Sequence, residues 1–283
     1  MTNSFDRRQV GPLRMGRINF LNVLPIYYPL EAGILTHEFE LVSGPPSFLN
    51  RLMGEGKLHI SSCSCIEYAR NYEKYYLVRD LSIGSRGPVM SVLLLSRVPV
   101  EELAGGEILI SGQSHTSVAL LKILLRQLYH TDVRFHVGNV SVALHSPEPP
   151  RAFLAIGDEA LRLRKHPDYS HCIDLAEAWR EMTGLPFIFG LWIMDRKTMD
   201  QGLFNGDPGE ILRRGRDWGL ANIDRIIELT AHSCPLSRED LETYYSSGLF
   251  FSLGEEERRG LELFYEKLVE NSLAASKPAL NFY

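Results

Sequence analysis

Asn22, in Gly16-Arg-Ile-Asn-Phe-Leu-Asn-Val-Leu-Pro25, is the first residue whose type and place could do chemistry. Its carboxamide offers a donor and an acceptor, so it can orient a polar substrate without carrying charge. The segment reads as an apolar strand delivering Asn22 to a turn, with Pro25 opening the next helix. Ligands dock at such turns, outside the carboxyl ends of strands in open α/β sheets; Asn also satisfies turns for backbone reasons alone. In Ser111-Gly-Gln-Ser-His-Thr-Ser117, the hydroxyls of Ser114, Thr116 and Ser117 stand at a helix start. Unpaired N–H groups there suit a carboxylate or phosphate, and Ser and Thr serve equally as plain N-caps. In Gly84-Ser-Arg-Gly-Pro-Val-Met-Ser91, Gly87-Pro88 shapes a turn and Ser91 either faces a cleft or is satisfied by backbone. Gly157 lets backbone approach a ligand closely, while Asp158 is a helix cap or the holder of a substrate hydroxyl. Ser61-Ser62-Cys63-Ser64 meets a ligand or closes a turn. Arg86 is a counter-ion for an acid or a solvated surface group.

The elements that must position these residues alternate between strand and helix. Arg17–Leu21 is strand-like, and a helix runs from near Pro25 toward Gly33. Residues 39–43 read as a strand and 47–54 as a helix with Phe48, Leu49, Leu52 and Met53 on its apolar side. Residues 59–66 form a third strand and turn, and 89–96 is apolar enough for a strand buried on both faces. Past Pro99 the pattern restarts with a strand at 107–111, a long helix at 116–129 and a short strand at 153–156. Residues 185–194 are a long apolar, aromatic-rich run, and the chain is helical and amphipathic from about 197. The expected architecture is α/β: one lobe from 13–96 and 195–283, with a second lobe, 97–194, inserted in it. That is a type II periplasmic-binding-protein-like organisation with the ligand in the interlobe cleft, a favoured place for small-molecule sites.

A chain of 283 residues with 45% hydrophobic content fits about two domains with a real core. A net charge of −5 argues against a general nucleic-acid binder, and no apolar run is long enough to span a bilayer. Met1–Pro12 is polar and lacks the apolar centre of a secretory signal, which points to a cytoplasmic protein. Cysteines at 63, 65, 172 and 234 have no zinc or redox spacing and read as reduced thiols. No H-E-x-x-H pair or Gly-rich phosphate loop occurs, so no metal and no nucleotide cofactor is expected. Nothing indicates an oligomer.

Five segments in order, Ile-Asn-Phe-Leu-Asn-Val-Leu-Pro, Gly-Pro-Val-Met-Ser-Val, Ser-His-Thr-Ser-Val-Ala-Leu-Leu, Ala-Ile-Gly-Asp-Glu-Ala-Leu and Thr-Gly-Leu-Pro-Phe-Ile-Phe-Gly-Leu-Trp, resemble the chorismate dehydratase family of the futalosine route to menaquinone. The likeness covers residues 13–275. It implies the two-lobed fold, a cytoplasmic enzyme without metal or nucleotide, and dehydration of chorismate to 3-[(1-carboxyvinyl)oxy]benzoate. On the motif match Asn22 and Ser91 are the catalytic candidates, and Ser62, Gly87, Ser114, Thr116, Ser117, Gly157 and Asp158 the substrate-binding ones. His115 stands where the family pattern leads one to expect arginine, and His59 where aspartate is common. Asp158 and His115 are the only titratable side chains in the motifs that could serve as a base; the substrate's own enolpyruvyl carboxylate is the other candidate. Two further readings are the related dihydroxynaphthoate synthase, expected to carry a histidine after the corresponding second-lobe strand, and a non-catalytic receptor for an aromatic carboxylate.

Overall fold

The computed structural model describes residues 12–112, 114–202, 204, 206–231, 234 and 236–283. Its strands are β1 (Leu13–Ile18), β2 (Phe39–Gly44), β3 (Ile60–Ser64), β4 (Tyr75–Ser85) and β5 (Val92–Ser96). They continue with β6 (Glu107–Ile110), β7 (Arg134–Val137), β8 (Ala152–Ile156), β9 (His171–Asp174) and β10 (Phe187–Asp195). The helices of the first half are α1 (Leu24–Glu31), α2 (Pro46–Gly54), α3 (Cys65–Asn71) and α4 (His115–Gln127). After them come α5 (Val140–Ala143), α6 (Gly157–Leu163), α7 (Leu175–Thr183) and α8 (Arg196–Asp200). The C-terminal group is α9 (Glu210–Ala221), α10 (Ile223–Ala231), α11 (Arg238–Thr243) and α12 (Glu255–Glu270).

These elements make two five-stranded sheets, ordered β2-β1-β3-β10-β4 and β7-β6-β8-β5-β9. In each sheet one interior strand runs against its neighbours. β10 is antiparallel to β3 and β4, and β5 is antiparallel to β8 and β9. The fold is thus the α/β, two-lobed arrangement expected, but the strands fall differently from the expected bounds. Val92–Ser96 opens the second sheet instead of ending the first lobe, and Phe187–Asp195 completes the first sheet instead of ending the second lobe. A run apolar on both faces suits an interior strand, so both runs are drawn into sheets. The crossings are the short stretches 86–91 and 184–186. At the first, Met90 has φ 64° and donates its N–H to Asp174 Oδ2 at 2.6 Å.

β4, like the short β7 and β9, is a strand that the apolar pattern does not reveal. Arg79-Asp80 interrupts it, Asp80 takes φ 49°, and its register with β10 shifts there. In the first lobe, α9 crosses α1 through Gly215 and Gly219. A Cβ on either glycine would collide with the backbone carbonyl of Ile26 or Pro25, respectively. One contiguous core runs through both lobes, and a smaller cluster around Leu95, Leu109 and Phe153 covers the far face of the second sheet. The join is aromatic: Trp179 of α7 meets Phe187 at 5.3 Å and Phe264 of α12 at 6.1 Å between ring centroids. Its indole N–H donates to the Pro186 carbonyl at 3.2 Å.

Candidate active site

A cavity of about 180 Å³ lies between the lobes, at the carboxyl ends of β1, β3 and β8. The apolar part of its wall includes Ile18, Phe20, Ile83, Phe189, Ile156 and Leu249. Asn22, Ser62, Ser91, Ser114, Thr116 and Ser117 bring polar groups to it. Asn22 follows the end of β1 on a short 3-10 turn, Leu21–Val23, and its amide Oδ1 is buried with no hydrogen-bond partner among the described residues. The Ser62 hydroxyl, on β3, is likewise buried without a hydrogen-bond partner among the described residues. The neighbouring Tyr27 hydroxyl is already engaged, donating to the Gly16 carbonyl at 2.8 Å and accepting from Trp192 Nε1 at 2.9 Å. A buried polar atom left unpaired is costly, and here two such atoms border one cavity.

The serine and threonine cluster is more differentiated than its sequence. Ser114 is at the N-cap of α4 but does not cap it; its hydroxyl donates to the Ser111 carbonyl at 3.2 Å. Thr116 Oγ1 accepts the N–H of Ile66 at 3.2 Å, reaching from α4 across to the first turn of α3 in the other lobe. Ser117 lines the cavity one residue on, and Ser91 opposite it carries the carbonyl that accepts the Gly157 N–H at 2.7 Å. Gly157 lines the cavity with φ 57°, and a Cβ there would press on the Phe20 ring at 3.3 Å. Backbone can therefore reach the cleft at this point only because the side chain is missing.

Three expected residues are placed elsewhere. Gly87 does not line the cavity; its carbonyl accepts from the Ser85 hydroxyl at 2.8 Å within its own turn. Arg86 pairs with buried Glu257 and lies over the Phe250 ring at 4.4 Å, which removes it as a counter-ion in the cleft. Asp158 is neither the cap of α6 nor a lining residue. Its Oδ1 accepts the Leu21 N–H at 3.2 Å from the opposite lobe, and burial pushes its carboxyl above the usual carboxylate range.

Among the described lining residues only Cys63 and His115 carry titratable side chains. Burial pushes the Cys63 thiol well up. Cys65 points away and donates its thiol to the Ile188 carbonyl at 2.8 Å. His115 is exposed at the mouth, with its Nδ1 3.4 Å from the guanidinium of Arg70 on the opposite lobe. His59 is outside the cavity; its Nδ1 accepts the Arg14 N–H at 2.8 Å, and burial lowers its pKa.

Sequence reasoning missed Phe20, Phe189, Ser47 and Asn50 as parts of the wall. The two phenylalanines sit inside quoted motifs, but an apolar residue gives no sign of facing a ligand instead of the core. Ser47 and Asn50 are on the polar side of α2, where period alone predicts solvent. Tyr244, on the π turn Tyr244–Gly248, is a further neighbour: its buried hydroxyl lies beside Ser91 and its pKa is pushed up by burial.

The chain is 28% identical over 275 residues to the chorismate dehydratase of Thermus thermophilus, covering 91% of this chain and 95% of the relative. It is 27% identical over 274 residues to the 1,4-dihydroxy-6-naphtoate synthase of the same organism, covering 94% and 97%. Among solved structures it is similar to a protein of Archaeoglobus fulgidus, with a TM-score of 0.71 at 20% identity over 93% of this chain and 98% of that one. It is also similar to the periplasmic aliphatic sulphonate binding protein SsuA of Escherichia coli, with a TM-score of 0.67 at 15% identity over 95% and 90%. These structures establish the periplasmic-binding-protein-like fold. A family model described as menaquinone biosynthesis matches residues 13–270, and with the two-lobed cleft built as above, the chain belongs to that menaquinone biosynthesis family.

Proposed function

We propose that the protein is a chorismate dehydratase, eliminating water from chorismate to give 3-[(1-carboxyvinyl)oxy]benzoate. The observation that carries the reading is the composition of the cleft: amide, hydroxyls and aromatic walls, with no carboxylate or lysine among the described lining residues. Such a site orients a polar anion and supplies fixed dipoles instead of its own strong base. The two curated relatives differ by one per cent in identity and do not separate the activities. What favours dehydration is the stretch after β8, Gly157-Asp158-Glu159, which has no imidazole where the naphthoate synthase is expected to have one.

In the proposed step the substrate's enolpyruvyl carboxylate takes the proton from the ring carbon bearing the ether. The C–H electron pair moves into the ring, and the C–O bond to the neighbouring hydroxyl breaks. The departing hydroxide takes the proton held by the enolpyruvyl carboxyl group and leaves as water, regenerating the carboxylate, and the six-membered ring becomes aromatic, which drives the elimination. The Asn22 amide holds the reacting centre from the turn after β1, and Ser91 faces it from the first crossing. Ser114 and Ser117, beside the start of α4, receive a carboxylate, with Arg70 and His115 at the mouth.

Incubation of the purified protein with chorismate, followed by mass spectrometry, tests the reading. A product lighter by one water, with aromatic ultraviolet absorbance, is expected; chorismate recovered intact would sink it. His115→Ala is expected to keep turnover within about tenfold, because an exposed group off the reacting centre contributes little acid–base help. Loss of turnover with retained binding in that variant would instead make His115 the base.

A further inference from the structure

Leu21, the residue before Asn22, is gripped from both lobes. Its N–H donates to Asp158 Oδ1 at 3.2 Å, from the first turn of α6 across the cleft. Its carbonyl accepts from the Tyr245 hydroxyl at 3.0 Å, and Tyr245 belongs to the π turn of the C-terminal helices. The 3-10 turn that starts at Leu21 has Phe20 at its N-cap and no side-chain cap of its own. An N–H at a helix start needs an acceptor from outside the helix, and here the acceptor comes from the other lobe. The same device recurs at the second wall, where Thr116 of α4 accepts the Ile66 N–H at 3.2 Å. Both bonds exist only while the lobes face each other.

We propose that Asp158 is a positioning residue: its carboxylate latches the second lobe onto the Leu21 peptide and so sets Asn22 against the substrate only in the closed molecule. Tyr245 fixes the next peptide, Leu21–Asn22, by its carbonyl from the first lobe. The identity of the substrate rests on the dehydratase reading; the latch itself does not. Asp158 is absent from the cavity wall, so it acts through Leu21 and not on the reacting atoms. Asparagine keeps an oxygen at Oδ1 that can still accept the Leu21 N–H, whereas alanine removes it.

The test compares Asp158→Ala, Asp158→Asn and Tyr245→Phe in the full-length protein, after circular-dichroism melts confirm folding. Chorismate kinetics give kcat and KM, and small-angle scattering gives the radius of gyration without ligand. Asp158→Ala is expected to lose at least about tenfold in kcat, the scale on which a misplaced group loses rate, and to become more open. Asp158→Asn should recover most of kcat and the parent's radius. Tyr245→Phe should lose kcat severalfold while keeping that radius. An unchanged radius in Asp158→Ala overturns the latch, and so does an Asp158→Asn variant as slow as Asp158→Ala. If the parent protein leaves chorismate intact, the dehydratase reading fails, and the scattering comparison still decides the latch.

Discussion

An unpaired amide oxygen in a buried wall is a burden on folding, and Asn22 carries one. Removing such an atom relieves a desolvation penalty of about 1–3 kcal/mol. Asn22→Ala is therefore expected to melt at or above the parent temperature while losing at least about 100-fold in turnover, the range of a lost transition-state dipole. A large drop in melting temperature would mean that Asn22 is a structural turn residue after all. His59 gives a second expectation. Its Nδ1 accepts the Arg14 N–H, and burial sets its folded pKa below the ordinary 6.5. The unfolded chain thus takes up the proton first, so this contribution is complete above about pH 6.5 and is lost on acidification toward the folded value. His59→Asn, which keeps an acceptor and cannot titrate, should flatten the fall in melting temperature between pH 7 and 5. At this scale the sequence was readable where a polar residue or a glycine met a turn, as at Asn22, Ser114 and Gly157. It was unreadable where the partner is distant: nothing local tells that Asp158 reaches Leu21 or that Arg86 turns to Glu257.

At the scale of elements, α1 inherits its position from α9, because Gly215 and Gly219 let the two backbones touch. In an exposed helix Gly→Ala stabilises by about 1 kcal/mol. Here the sign reverses: Gly219→Ala should cost about 1–3 kcal/mol by overpacking. By pushing α1 it should also lower turnover through Asn22; thermal melts and chorismate kinetics on one variant check both. Most helices and the strands β2, β3, β6 and β8 follow from periodicity within a few residues. β4 does not, because Arg79-Asp80 breaks its pattern for the sake of a bulge. The apolar run at 89–96 was legible as a buried strand and that at 185–194 only as a long apolar stretch, and neither pattern says which sheet the run joins.

At the scale of the molecule, the shared core and the Trp179–Phe187–Phe264 cluster tie the lobes together. Calorimetry should accordingly show one cooperative transition for both lobes; two resolved transitions would contradict the shared core. Chorismate at 100 times its dissociation constant should add about 2.7 kcal/mol by mass action, seen as an upward shift of that single transition. The place of β10 has a consequence for the order of events during synthesis. The first sheet lacks its interior antiparallel strand, β10, until residue 195 has been made, whereas every strand of the second sheet lies between residues 92 and 174. The lobe begun first is therefore the last that can be finished on the ribosome. Until then the nascent chain holds β3 and β4 apart with their inner edges bare, a state exposed to mispairing, while the inserted lobe already has all its strands.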